Sequence, residues 1–200
     1  SVRNGSPLDA RFTNIAREVR AAGYDPALIG YTDTSLDPRA DGGDAPVPGE
    51  GYEGLLPGFT ALLRMPTHPT AWTDHLAAKG YETTETPYEM YGPLGGHSAP
   101  GGFGPYDAPA RYRAEDSDTA FIADTALDYI ARQGDTPWFL HLVFLRPHPP
   151  YIAPEPYNRM YDPASVPAPQ RAATPEDEAR IHPPIGHWPN GQRFAGALGV

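Results

Sequence analysis

Cysteine is absent from the 200 residues. Disulfide bonds, thiolate metal ligands and a cysteine nucleophile are therefore excluded within the chain. Lysine is almost absent as well: Lys79 is the sole one, so the positive side of the charge balance is arginine. Fifteen Lys and Arg against 25 Asp and Glu give a net charge of -10. Such an acidic surface repels the phosphates of nucleic acids and of anionic membranes, and neither is expected as a partner. No apolar run approaches the roughly 18 residues of a membrane span, and no secretory leader pattern is present. A cytoplasmic location is the expectation, although Ser1 rather than Met stands first, which leaves a preceding segment open.

What the chain has in quantity is proline and glycine, 26 and 21 residues, close to the roughly 25–30% at which a composition begins to resemble a disordered one. Order must then be concentrated in a few segments. From Leu8 the apolar residues Phe12, Ile15, Ala16, Val19 and Ala22 recur at helical spacing up to Gly23, predicting a helix over 9–22. A short buried strand follows at 26–31. Residues 36–58 carry turn formers without periodicity and read as a long loop. A helix is predicted over Thr70–Lys79, stopped by Gly80. Residues 86–113 form a second long loop rich in glycine, proline and tyrosine.

The helix–strand rhythm then repeats. Ser117 or Asp118 is placed to cap a helix over 118–132, with Phe121, Ile122, Leu127, Tyr129 and Ile130 on its apolar face and Gln133-Gly134 at its end. Pro137 opens a strand over 138–145. Both faces of WFLHLVFL are apolar, which predicts an interior strand of a parallel α/β sheet. A proline-rich meander over 149–170 and a helix from Thr174, with Pro175 in its first turn and Asp177 available for a capping box, complete the reading.

Ligands of wound α/β sheets gather beyond the carboxyl ends of the strands. Two polar clusters lie there: YTDTS, holding Tyr31, Thr32, Asp33 and Thr34, and RPHPP, holding Arg146 and His148. His148 carries an imidazole, which suits a general acid or a hydrogen-bond donor; a strand-end histidine held by neighbouring carbonyls is the competing reading. The hydroxyls of Thr32 and Thr34 suit either a ligand or the local backbone. Asn4, in RNG, suits a turn or a pocket edge. Arg146 and Arg39 are the cations available within the two clusters for an anionic group. His141 reads as a hydrogen-bonded core residue. His68, His75, His182 and His187 have no convincing metal spacing.

SVRNGSPL, AGYDPALIGYTDTSLDPR and PWFLHLVFLRPHPPYIAPEPYNRMYDP, in that order, resemble the middle of the alkaline phosphatase-like sulfatases. The nearest branch is that of the phosphonate monoester hydrolases and their arylsulfatase relatives. The second block takes the place of the family's Gly-Lys-Trp-His stretch, with Tyr31 and Asp33 where Lys and His stand, and the third matches Pro-His-x-Pro. The resemblance implies an alkaline phosphatase-like α/β core and hydrolysis of sulfate, phosphonate or phosphate (di)esters. It implies His148 and Tyr31 as catalytic residues, and Asn4, Thr32, Asp33, Thr34 and Arg146 as substrate-binding residues. It also implies a formylglycine nucleophile and a divalent cation (Mn²⁺ or Ca²⁺), with nucleophile and metal ligands outside these residues. The chain is thus expected to be a piece of a catalytic domain, inactive by itself, in a protein of a branch rich in homo-oligomers. The competing class is a non-catalytic acidic α/β module presenting loop 86–106 to a protein partner.

Overall fold

The computed structural model describes residues 8–9, 11–32, 34, 54–66, 69–95, 108–168, 170 and 172–181. They fall into two compact units, 1–90 with 112–148 and 91–111 with 149–200. The first holds the sheet. Helix α1 (Ile15–Ala21) leads into β1 (Pro26–Gly30); β2 (Thr60–Arg64), α2 (Thr70–Ala78), α3 (Asp118–Gln133) and β3 (Phe139–Leu142) follow. The strand order is β2-β1-β3. Both pairings are parallel, Ala27 facing Thr60 on one side and Leu140 on the other.

Strand β1 is the interior strand: all five of its residues are buried. The prediction gave that position to WFLHLVFL, but β3 is half-buried along its length and flanks β1 on one side only among the described residues. Two-faced apolarity therefore does not rank these strands. PALIG owes its depth to a neighbour on each side and to Ala16 of α1, which joins Leu28 and Phe59 in a core cluster lined by Leu55, Leu56 and Phe139. His141 lies in β3 with its ring 5.2 Å from that of Phe59, and burial pushes its pKa down.

Helix α1 is shorter than the predicted 9–22. The Asn14 side chain accepts from the Ala16 and Arg17 amides at 2.9 and 3.2 Å and so sets the start by capping. Ahead of it, Asp9 and Arg11 close a local charged turn. Helix α3 runs as expected, because the sequence punctuates both ends: the Ser117 hydroxyl accepts from the Ala120 amide at 3.1 Å, and Gly134 takes a positive φ after the last turn. Helix α2 buries Trp72, Thr73 and Leu76. Strand β2 is absent from the sequence reading. TALLR has no alternation of buried and exposed positions, and its pairing with β1 is irregular between Leu28 and Ile29. Periodicity gives no handle on such a segment.

In the second unit, Pro93 and Ala110 form an antiparallel bridge, and the Ala110 amide donates to the Ala153 carbonyl at 3.0 Å. The proline-rich segment carries 3-10 turns at Tyr157–Arg159 and Pro163–Ser165. Helix α4 (Pro175–Ile181) opens on the expected capping box: Thr174 Oγ1 donates to the Asp177 carboxylate at 2.8 Å and accepts its amide at 3.1 Å. Most of loop 36–58, and residues 96–107 of the second loop, lie outside the described residues.

Candidate functional site at the strand ends

Because β1 and β3 run parallel and adjacent, with Ile29 opposite Leu142, YTDTS and RPHPP leave the sheet at the same end. The Val143 amide donates to the Ile29 carbonyl at 2.9 Å, and the Met65 amide donates to the Gly30 carbonyl at 2.9 Å. Gly30 is required where the strands converge. Its φ is +118°, and an added Cβ would stand 2.8 Å from both Cβ and the carbonyl oxygen of Val143. No L side chain fits that space in that backbone conformation.

Thr32 is buried, and its hydroxyl is spent on backbone. It donates toward the Gly54 and Thr34 carbonyls, 2.6 and 2.8 Å away, and accepts the Leu56 amide at 3.1 Å. The side chain thereby ties the end of β1 to the chain entering β2, the local-backbone role that threonine can take. Tyr31 and Thr34 are half-buried. Asn4, Asp33, Arg39, His68, His182 and His187 lie outside the described residues.

Past β3 the chain turns at Arg146, whose side chain is 18% exposed. Its guanidinium, expected to face an anionic ligand, points to internal partners. Nε lies 3.8 Å from Asp118 Oδ2, Nη1 donates to the His148 carbonyl at 2.8 Å, and the Tyr112 phenol interacts electrostatically with the same group. Asp118, 2% exposed, is the first residue of α3. Burial pushes its carboxyl pKa up while Arg146 pulls it back. Burial pushes the Tyr112 phenol up to about 12, again opposed by Arg146. His148 itself is exposed, and its amide donates to the Leu145 carbonyl at 3.0 Å. Its backbone is thus held at both polar atoms while the imidazole faces outward.

The sequence reading missed a separate open cleft of 490 Å³ lined by Lys79, Gly80, Tyr81, Arg113, Glu115 and Asp116. It shares no residue with the strand-end cluster, and its charges are matched internally. Lys79 is paired with Asp116, and Tyr81 donates to the same carboxylate at 2.5 Å. Those bonds hold the Asp116 carboxyl below the usual range. A self-neutralised cleft offers an anion little. Among the described residues no three His, Asp or Glu side chains converge as a metal site requires, and no helix is long and apolar enough to cross a membrane.

The model of the Sulfatase family matches residues 1–180. The chain belongs to the sulfatase family. This sulfatase-family chain is 38% identical over 206 residues to the multifunctional alkaline phosphatase superfamily protein PehA of Trinickia caryophylli, all of the chain matching 39% of that protein. It superposes with a TM-score of 0.78 on the phosphonate monoester hydrolase SpPMH of Silicibacter pomeroyi, at 45% identity. The score is the same for the phosphonate monoester hydrolase of Agrobacterium radiobacter, at 44% identity. In both cases 92% of the chain is covered, against 36% and 35% of the solved structures. The sulfatase-family chain therefore spans under two-fifths of the length of these relatives. Its parallel sheet with flanking helices is the fold that the resemblance implied.

Proposed function

We propose that this chain supplies substrate-facing strand ends to a hydrolase of sulfate, phosphonate or phosphate (di)esters, with His148 serving the departing ester oxygen and Tyr31 facing the same crevice. The observation that carries the reading is the parallel pairing of β1 with β3, which brings the two polar clusters out at one end of the sheet. The family match and the two phosphonate monoester hydrolase neighbours favour an enzyme over a binding module. In this reading Asn4 and Thr34 contact the anionic group, and Asp33, whose carboxylate would repel it, orients an arginine beside it. Thr32 holds the end of β1, and Arg146 holds the turn that carries His148.

The described residues provide no cage for a divalent cation. In this reading the cation (Mn²⁺ or Ca²⁺) and the formylglycine nucleophile come from elsewhere in the protein, and the chain's own residues act at the leaving group. As the bond between phosphorus or sulfur and the ester oxygen breaks, the electron pair stays on that oxygen. The protonated imidazole of His148 transfers its proton there, and the leaving group departs as a neutral alcohol or phenol. A fixed backbone with an outward imidazole suits this task, because proton transfer demands hydrogen-bond reach before it demands a matched pKa.

Such help is worth about 10²–10⁴ in rate for a poor leaving group and much less for one that departs unprotonated. In the protein that contains this chain, His148→Ala is expected to lose far more kcat/KM on alkyl or unactivated phenyl esters than on 4-nitrophenyl esters. Equal losses on both would assign His148 to binding or charge stabilisation instead. No loss would leave it a strand-end histidine.

A further inference from the structure

Resting on that reading of His148, we propose that Asp118, Arg146 and Tyr112 form a buried clamp that positions His148 by holding its backbone, making them positioning residues for the departing group. Strand β3 stops at Leu142, so sheet hydrogen bonding does not reach position 148. Something else must fix it. Arg146 Nη1 donates to the His148 carbonyl at 2.8 Å, while Nε faces Asp118 Oδ2 at 3.8 Å. The planar guanidinium can address both because its donors point along separate, fixed directions, which a lysine ammonium cannot imitate.

The Asp118 end of the clamp is costly, which argues that it serves a purpose beyond filling space. Asp118 Oδ2 is buried without a hydrogen bond, and its charge is answered by Arg146 across 3.8 Å. Asp118 is the first residue of α3, so the carboxylate is anchored in the first turn of that helix. An ion pair taken out of water seldom outperforms apolar packing for stability alone. Tyr112 adds a third, rigid side. It is 5% exposed, interacts electrostatically with Arg146, and is set edge-on to the ring of Trp72 at 4.9 Å. Trp72 in turn donates its indole N–H to the Asp116 carbonyl at 2.9 Å, two residues before Asp118. The start of α3 and the turn after β3 are thereby joined through one guanidinium.

The test uses Arg146→Lys, Asp118→Asn and Tyr112→Phe in the protein that contains this chain, each assayed on phenyl and 4-nitrophenyl methylphosphonate, with amide exchange followed at residues 145–148. Arg146→Lys is expected to lose about tenfold more kcat/KM on the phenyl ester than on the 4-nitrophenyl ester, the selectivity of a displaced proton donor. Exchange at the His148 amide should rise while that of Leu28 and Ile29 stays unchanged. Adding Asp118→Asn to Arg146→Lys should cost little more, since both break one unit. If Arg146→Lys does not fold, Tyr112→Phe, which removes one oxygen, is read instead and should shift both quantities in the same direction. Equal losses on the two esters that follow Tm would overturn the clamp as a positioning device. Unchanged exchange at His148 would overturn it as a clamp. Should His148→Ala show no leaving-group dependence, the catalytic reading fails, and the exchange measurement still decides whether the clamp exists.

Discussion

At the scale of single residues, burial gives Tyr112 a marked pH signature. Its phenol titrates near 12 because burial opposes the charged form, against about 10 for an exposed tyrosine. The folded state therefore holds this proton more tightly than the unfolded chain does. Stability from this group is complete below about pH 10 and is lost as pH rises toward 12, by up to about 3 kcal/mol. Tyr112→Phe should flatten that alkaline fall in denaturant-derived stability, and an unchanged slope would show that another group governs it. Asp118 acts with the same sign at lower pH. Its raised pKa makes the carboxyl favour the folded state when protonated, so its contribution declines as pH rises through that folded value. RPHPP stands out in the sequence as a charged and titratable pair boxed by prolines. The direction in which Arg146 faces does not, because Asp118 lies 28 positions earlier and no local pattern encodes a pairing of that range.

At the scale of elements, the end of the β1–β3 pair depends on one missing methyl group. Gly30→Ala places a Cβ 2.8 Å from the Val143 Cβ and carbonyl oxygen, in a backbone conformation at φ +118°. Because one obstacle is backbone, rotation of a side chain cannot relieve it. The variant should lose at least about 2 kcal/mol from the left-handed strain and overlap together, measured by chemical denaturation. A loss under about 0.5 kcal/mol, the range of ordinary surface substitutions, would mean that the strand ends are looser than drawn. Helix α3 was legible because Ser117 and Gly134 mark its limits, and α4 because Thr174 and Asp177 form its capping box. Helix α1 was overextended because Phe12, 59% exposed, continues the apolar spacing without being packed. Strand β2 was missed because Leu62 is exposed while Leu63 is half-buried, a pattern set by the central strand rather than by β2 itself.

For the molecule as a whole, the sheet dictates an order of stability. Strand β1 is paired on both sides and buried throughout, so the amides of Ala27 to Gly30 should exchange more slowly than any in β2 or β3 under native conditions. Faster exchange in β1 than in β3 would contradict the strand order. The same arrangement has a consequence in time. One partner of β1 begins at Thr60 and the other at Phe139, so Pro26 must wait for a residue 113 positions later. A ribosome that has just released PALIG has released a bare apolar strand whose second neighbour does not yet exist. At roughly 5–20 residues per second, it stays half-covered for several seconds of synthesis. During that interval the nascent chain depends on α1 and β2 to shield β1, and an early stop before Leu142 leaves a strand edge open to any passing chain.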